Sequence, residues 1–379
     1  MKGSIGIKIL IGILVIVIAI VAVLLGIKIA DSSFKKRNIV ATEENVTNTE
    51  TAPQVVEVKE PKIFKGNDRP IAVMIDNHVD ALPQAGLNSA YLVYEMIVEG
   101  GETRLMALFK GVDLEKIGPV RSSRHYYLDY ALENDAIYVH FGWSPKAQSD
   151  ITALNVNNIN GIAESTSSFW RATDKQHAYL HSVATSTDTI LKIAERKGYA
   201  TTSTQKSVLK YVGNEFDLES DNDATKVTIP YSKYNGKPYN WVTYEYDDVT
   251  RRYVRYSRDE KQTDWATGET VTTKNIIIVK CRNWQLNDGE NKDRQDLANV
   301  GTLNGYYITN GKAIEITAEK ESRTSQTVYK DLQGNEIDVN DGNTFIQICP
   351  IDSEIVIEPG KPVPVEQETN TVEVNTINE

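Results

Sequence analysis

The chain has 379 residues, a formal net charge of −11, 40% hydrophobic and 25% charged residues, and two cysteines. Its length suits two ordinary domains, and its composition excludes wholesale disorder. The acidic balance argues against nucleic acid as a partner of the whole protein. Two cysteines exclude a disulfide-dense scaffold and a cysteine-built zinc site.

The first element in chain order is an apolar run at residues 9–26 (ILIGILVIVIAIVAVLLG), uncharged and flanked by Lys8 and Lys28. At 1.5 Å per residue it nearly spans ~30 Å of hydrocarbon, and the lysines can snorkel to the interface. No small-residue cleavage pattern follows it, so residues 1–30 read as an uncleaved single transmembrane helix rather than a signal peptide. Lys2 and Lys8 on one side, against Lys28, Lys35, Lys36 and Arg37 on the other, leave the orientation open. Residues 31–60, rich in Thr, Glu, Asn and Val, read as a disordered stalk, and residues 359–379 as a disordered acidic tail.

Two folded regions are expected between them. Residues 61–224 alternate apolar strand runs (IAVMI, RLMALF, AIYVHF) with amphipathic helices at 121–134, 144–154 and 188–197, an α/β texture. Residues 225–358 change to period-two alternation. NWVTYEY and RYVRY flank a turn, GYYIT and KAIEIT flank Asn310-Gly311, and a third pair surrounds residues 333–336. This region reads as a mostly antiparallel β domain of about seven strands. Cys281 and Cys349 fall at the ends of two of its strands, either as buried thiols or as a disulfide between neighbouring strands.

Candidate chemistry concentrates in the α/β region. Arg121, Ser122 and Arg124, in GPVRSSR before a helix, suit a phosphate or carboxylate clamp at that helix N-terminus, with Arg104 nearby. The competing expectation is helix capping by the serines, with the arginines paired to Glu95, Glu99 or Asp129. With Tyr91 to Val98 helical, Glu95 and Glu99 share a face, and close carboxylates raise one pKa as a general acid requires. Glu95 is therefore one catalytic candidate. Its alternative is a buried network neutralising Arg104, Arg121 and Arg124.

Asp76 (in DNH) and His140, Trp143 and Ser144 (in HFGWS) follow apolar strands, where ligands collect in α/β sheets. His140 with Asp76 or Glu95 is a candidate base and orienter, and Trp143 a sugar-stacking ring. His177-x3-His181 lacks the glutamate of H-E-x-x-H, and no Walker or Rossmann glycine motif occurs, so neither a metal nor a cofactor is expected.

The blocks RPIAVMIDNH, PQAGL, VYEMIVEGG, TRLMALF, IGPVRSSR and DAIYVHFGWSP, then NGYYITNGKAIEI and NTFIQICP, occur in an order that resembles the YerB-like family of bacterial extracytoplasmic lipoproteins. The resemblance runs from about Lys65 to Pro350 and implies an external body and a two-part architecture, not a reaction. The sequence departs from it in carrying an apolar anchor in place of a lipid-modified cysteine, and in QHAYLHS, where Ala178 and His181 replace the family's Asn and Thr. The layout is also similar to LytR-type glycopolymer transferases, though only as an analogy.

Three functions remain open. The first is a cell-envelope protein that binds a wall component, an anionic glycopolymer or peptidoglycan. The second is a wall-acting enzyme, either glycan-cleaving or a phosphotransferase. The third is a structural protein that binds an envelope partner.

Overall fold

The computed structural model describes residues 57–173 and 176–359. The expected transmembrane helix, almost all of the stalk and the tail after Pro359 lie outside them. Among the described residues no helix is long and apolar enough to cross a membrane.

Five strands open the fold: β1 (Ile71–Asp76), β2 (Leu92–Ile97), β3 (Thr103–Phe109), β4 (Ile137–His140) and β5 (Asn158–Asn160). Three helices accompany them: α1 (His125–Glu133), α2 (Pro145–Ala153), capped by the Ser144 hydroxyl, and α3 (Thr187–Arg196), capped by Ser186. Every residue of β1, β2, β3 and β4 is buried, as expected of strands covered on both faces. β1 runs antiparallel to β3 and parallel to β4, and β4 parallel to β5, so the sheet is mixed.

Five strands from the second region continue the same sheet. From one edge it runs Val328–Asp331, Lys312–Lys320, Gly301–Thr309, Asn275–Cys281 and Thr344–Pro350, then β2, β3, β1, β4 and β5. The seam is parallel pairing of β2 with Thr344–Pro350, a strand also parallel to Asn275–Cys281. The second region is therefore strand-rich but not uniformly antiparallel. A smaller sheet contains Lys226–Tyr234, Lys237–Asp247 and Arg252–Ser257, antiparallel in that order.

The hairpins form at Asp247/Arg252 and Thr309/Lys312 as their turn residues predict. The third expected pair closes only beside its turn, where Asp331 N–H donates to Asn335 O (2.9 Å) and Ile337 N–H to Tyr329 O (3.0 Å). After the turn, Asp338–Asn340 pairs in parallel with Lys210–Val212, leaving a single bridge from Lys330 to Glu336.

Successive β2 side chains reach opposite layers. The Tyr94 hydroxyl donates to Glu133 at the end of α1 (2.7 Å), whereas Glu95 turns to Arg255 of the smaller sheet (2.6 Å). Cys281 lies opposite Pro350, and Cys349 opposite Lys280, so the two thiols sit one register apart and face opposite sides of the sheet. Both are free and buried, and burial pushes each thiol up to about 12.

Candidate functional site

The β1 run IAVMID ends at Asp76, where the chain leaves the sheet. The segment before α1 lies against this end: Asp76 N–H donates to Pro119 O (2.8 Å) and Arg121 N–H to Met74 O (2.9 Å). Gly118 permits the approach. Its φ is +153°, and a Cβ there would stand 2.7 Å from the Val183 carbonyl oxygen.

Asp76 is the organising group, 3% exposed. One carboxylate oxygen accepts the His78 backbone N–H (3.2 Å). The other meets His181 Nδ1 (2.7 Å) and Arg121 Nε (3.1 Å). Burial pushes this carboxyl up, but the His181 hydrogen bond and the Arg121 and Arg104 charges together hold it below its ordinary value. Arg121 also donates from Nη1 to the Leu180 carbonyl (2.8 Å), and its side chain stays 29% exposed. The His78 and His181 rings stack with centroids 4.7 Å apart.

Beside this group Arg104 donates to the Ser122 carbonyl (2.6 Å) and lies 3.6 Å from Glu99. Arg124 holds Glu99 through both Nε and Nη2, and Arg294 approaches the same carboxylate at 3.9 Å. Burial and the neighbouring Arg124 bring the Arg104 guanidinium down to about 10. Asp76, Glu99, Arg104, Arg121, Ser122 and Arg124 thus form one polar strip, in which most charges are already paired.

Several expected roles change. Tyr91 to Val98 is not a helix, because LVYEMI is threaded between β3 and Thr344–Pro350. Glu95 and Glu99 therefore share no helical face. Glu95 is 1% exposed and accepts from Asn77, Thr103 and Arg255, which shuts it off from a substrate. α1 begins only at His125, so Arg121 and Ser122 lie in extended chain rather than at a helix N-terminus.

His140 is fully buried. Its Nδ1 donates to Gly142 O (2.8 Å), Nε2 faces the Asn158 amide, and burial brings the ring down to about 4. It meets neither Asp76 nor Glu95 in a described hydrogen bond. Trp143 packs its ring on His140, and Ser144 spends its hydroxyl on the α2 N-cap.

The imidazole that Asp76 orients is His181 rather than the expected His140. His181 lies in the 3-10 turn Tyr179–His181, and His177 turns away to Pro83 O and the Trp265 ring. The available signal was the pair of histidines in QHAYLHS, read there as a spacing motif rather than as partners for DNH. A second polar site, a shallow cavity of about 270 Å³, is lined by His125, Asp129, Lys146, Asp296, Asn299 and Arg323. Asp129, weighed from sequence as a partner for Arg121 and Arg124, lines it and pairs instead with Arg323.

Residues 58–200 match the N-terminal domain, and residues 227–346 the C-terminal domain, of a family described as protein of unknown function (DUF3048). The chain belongs to this family. It is 33% identical over 290 residues to "Putative lipoprotein YerB" of Bacillus subtilis (strain 168), covering 74% of this chain and 81% of that one. The crystal structure of YerB from Bacillus subtilis superposes with a TM-score of 0.67 at 32% identity, covering 76% of this chain and 94% of that one. Membership accounts for the ordered sequence blocks, while the site's chemistry has to be argued from its residues.

Proposed function

We propose that the chain is a membrane-anchored protein of the cell envelope, held by residues 9–26 as a single-pass helix. Its folded part lies outside the cytoplasm and binds an anionic wall component through the strip around Arg121. The apolar run and the relative's description as a lipoprotein both support attachment to a membrane. The observation that carries the binding reading is Arg121. Its described bonds to Asp76 and Leu180 use Nε and Nη1, which leaves the Nη2 donors of a part-exposed guanidinium for a phosphate or carboxylate oxygen.

Titrating the full chain in mild detergent with an anionic glycopolymer released from cell walls tests this. Arg121→Ala is expected to weaken binding about tenfold to a hundredfold, the worth of a hydrogen bond to a charged group. Unchanged affinity would remove Arg121 from the binding site.

One observation favours a second reading, a wall-acting enzyme. The Asp76–His181 pair beside Arg121 is the arrangement of an oriented general base. Turnover that persists in Arg121→Ala and disappears in His181→Ala would select it.

A further inference from the structure

The imidazoles and carboxylates at the end of β1 carry an inference independent of the wall-binding reading. His78 caps the 3-10 turn Val79–Ala81, Asp80 lies within that turn, and His181 arrives from the turn Tyr179–His181. One potential ligand atom from each of His78, Asp80 and His181 lies within 4.8 Å of the other two. We propose that these three side chains bind a divalent transition-metal ion of the zinc class, with Asp76 as the positioning residue behind His181.

The donor set, two imidazoles and a carboxylate, is what zinc accepts at about 2.0–2.2 Å per bond. Two such ligands on a tetrahedral ion stand about 3.4 Å apart. His78 Nδ1 and the Asp80 carboxylate are 3.6 Å apart, close to that span before any adjustment. His181 is set up in the tautomer a metal needs. Donation from Nδ1–H to Asp76 leaves the lone pair on Nε2, and a carboxylate behind an imidazole is the usual outer support of a metal-bound histidine.

Asp76 and Asp80 contribute −2, and Arg121 and Arg104 offset them with +2, so the two imidazoles rather than net charge select the ion. Hard cations are disfavoured, because magnesium and calcium take all-oxygen surroundings.

The stacked rings, 22° from coplanar, do not yet aim both lone pairs at one point. The ion is reached by turning the part-exposed His78 ring about its side-chain bonds. This frees the Nδ1 lone pair, which now accepts the Asp80 N–H, for the ion. Three protein ligands leave a fourth position open, to water or to an anionic oxygen held by Arg121.

The test uses the untagged full-length chain in mild detergent, stripped with chelator and titrated with Zn2+ by calorimetry, and separately with Co2+ by visible absorption. One equivalent of Zn2+ is expected, with tetrahedral-type cobalt bands and no comparable uptake of Mg2+. His78→Ala and His181→Ala should each weaken binding at least ~10-fold, and Asp76→Asn about 10- to 100-fold, the usual effect of losing an outer-shell partner. If Asp76→Asn melts early, Asp80→Asn, which removes an exposed ligand, tests the site on a folded protein. Absence of saturable Zn2+ binding to the wild type, or undiminished binding in the His78→Ala/His181→Ala double variant, would overturn the proposal.

Discussion

At Glu95 the carboxylate takes hydrogen bonds from Asn77 and Thr103 and a charge from Arg255, all inside the protein. Removing one partner of such a pair strands the other charge, so Glu95→Gln is expected to cost about 3–5 kcal/mol in urea unfolding. A loss below about 1 kcal/mol would mean that the buried guanidinium finds another partner. His140 differs, because its neutral form is the one that fits. Burial holds the folded-state pKa at about 4, below the ordinary 6.5, so the unfolded chain binds this proton more readily. The neutral ring's contribution is intact above pH ~6.5 and is lost as pH falls toward about 4, on the order of 3 kcal/mol in all. His140→Gln should flatten that part of the stability–pH curve, which unfolding at a series of pH values reads directly. Arg121→Ala takes one of several partners from the buried Asp76 carboxylate, so a loss of about 1–2 kcal/mol in stability is expected alongside the weaker binding.

At the scale of elements, the segment before α1 decides whether Arg121 reaches Asp76. Gly118→Ala places a methyl 2.7 Å from the Val183 carbonyl at a φ that L-residues rarely adopt. It is expected to lower stability by about 1–3 kcal/mol and to weaken ligand binding with it, as melting and titration of one sample would register together. The hairpin at Asn310-Gly311 was legible in the sequence, because period-two alternation and a turn dipeptide are local signals. β2 was not. Buried on both faces, LVYEMI shows no alternation, and Glu99 four residues after Glu95 imitates a helical face. What identifies Glu95 as a strand residue is Arg255, 160 positions away, and the parallel partner Thr344–Pro350; neither leaves a mark in local sequence. Asp76, Arg104, Arg121 and Arg124 were legible because each sits beside a strand or helix end. The His181–Asp76 pair joins positions 105 apart, and no spacing rule links them.

For the whole molecule, the long sheet runs through strands of both regions, so the polar strip at the end of β1 is braced by ten strands rather than by the first region alone. That rigidity suits a surface that presents pre-set donors to a polymer, since little has to be ordered on binding. The overall charge of −11 repels a polyanion at long range, so recognition has to be local and short-ranged, at Arg121 and its neighbours. The most direct measurement incubates the full chain in mild detergent with purified sacculi that retain their attached polymers, then assays the pellet for protein and the supernatant for released fragments by mass spectrometry. The protein is expected to pellet with the sacculi, Arg121→Ala to stay in solution, and no fragments to appear. Released muropeptides or glycopolymer pieces, or pelleting that ignores Arg121, would contradict the binding reading.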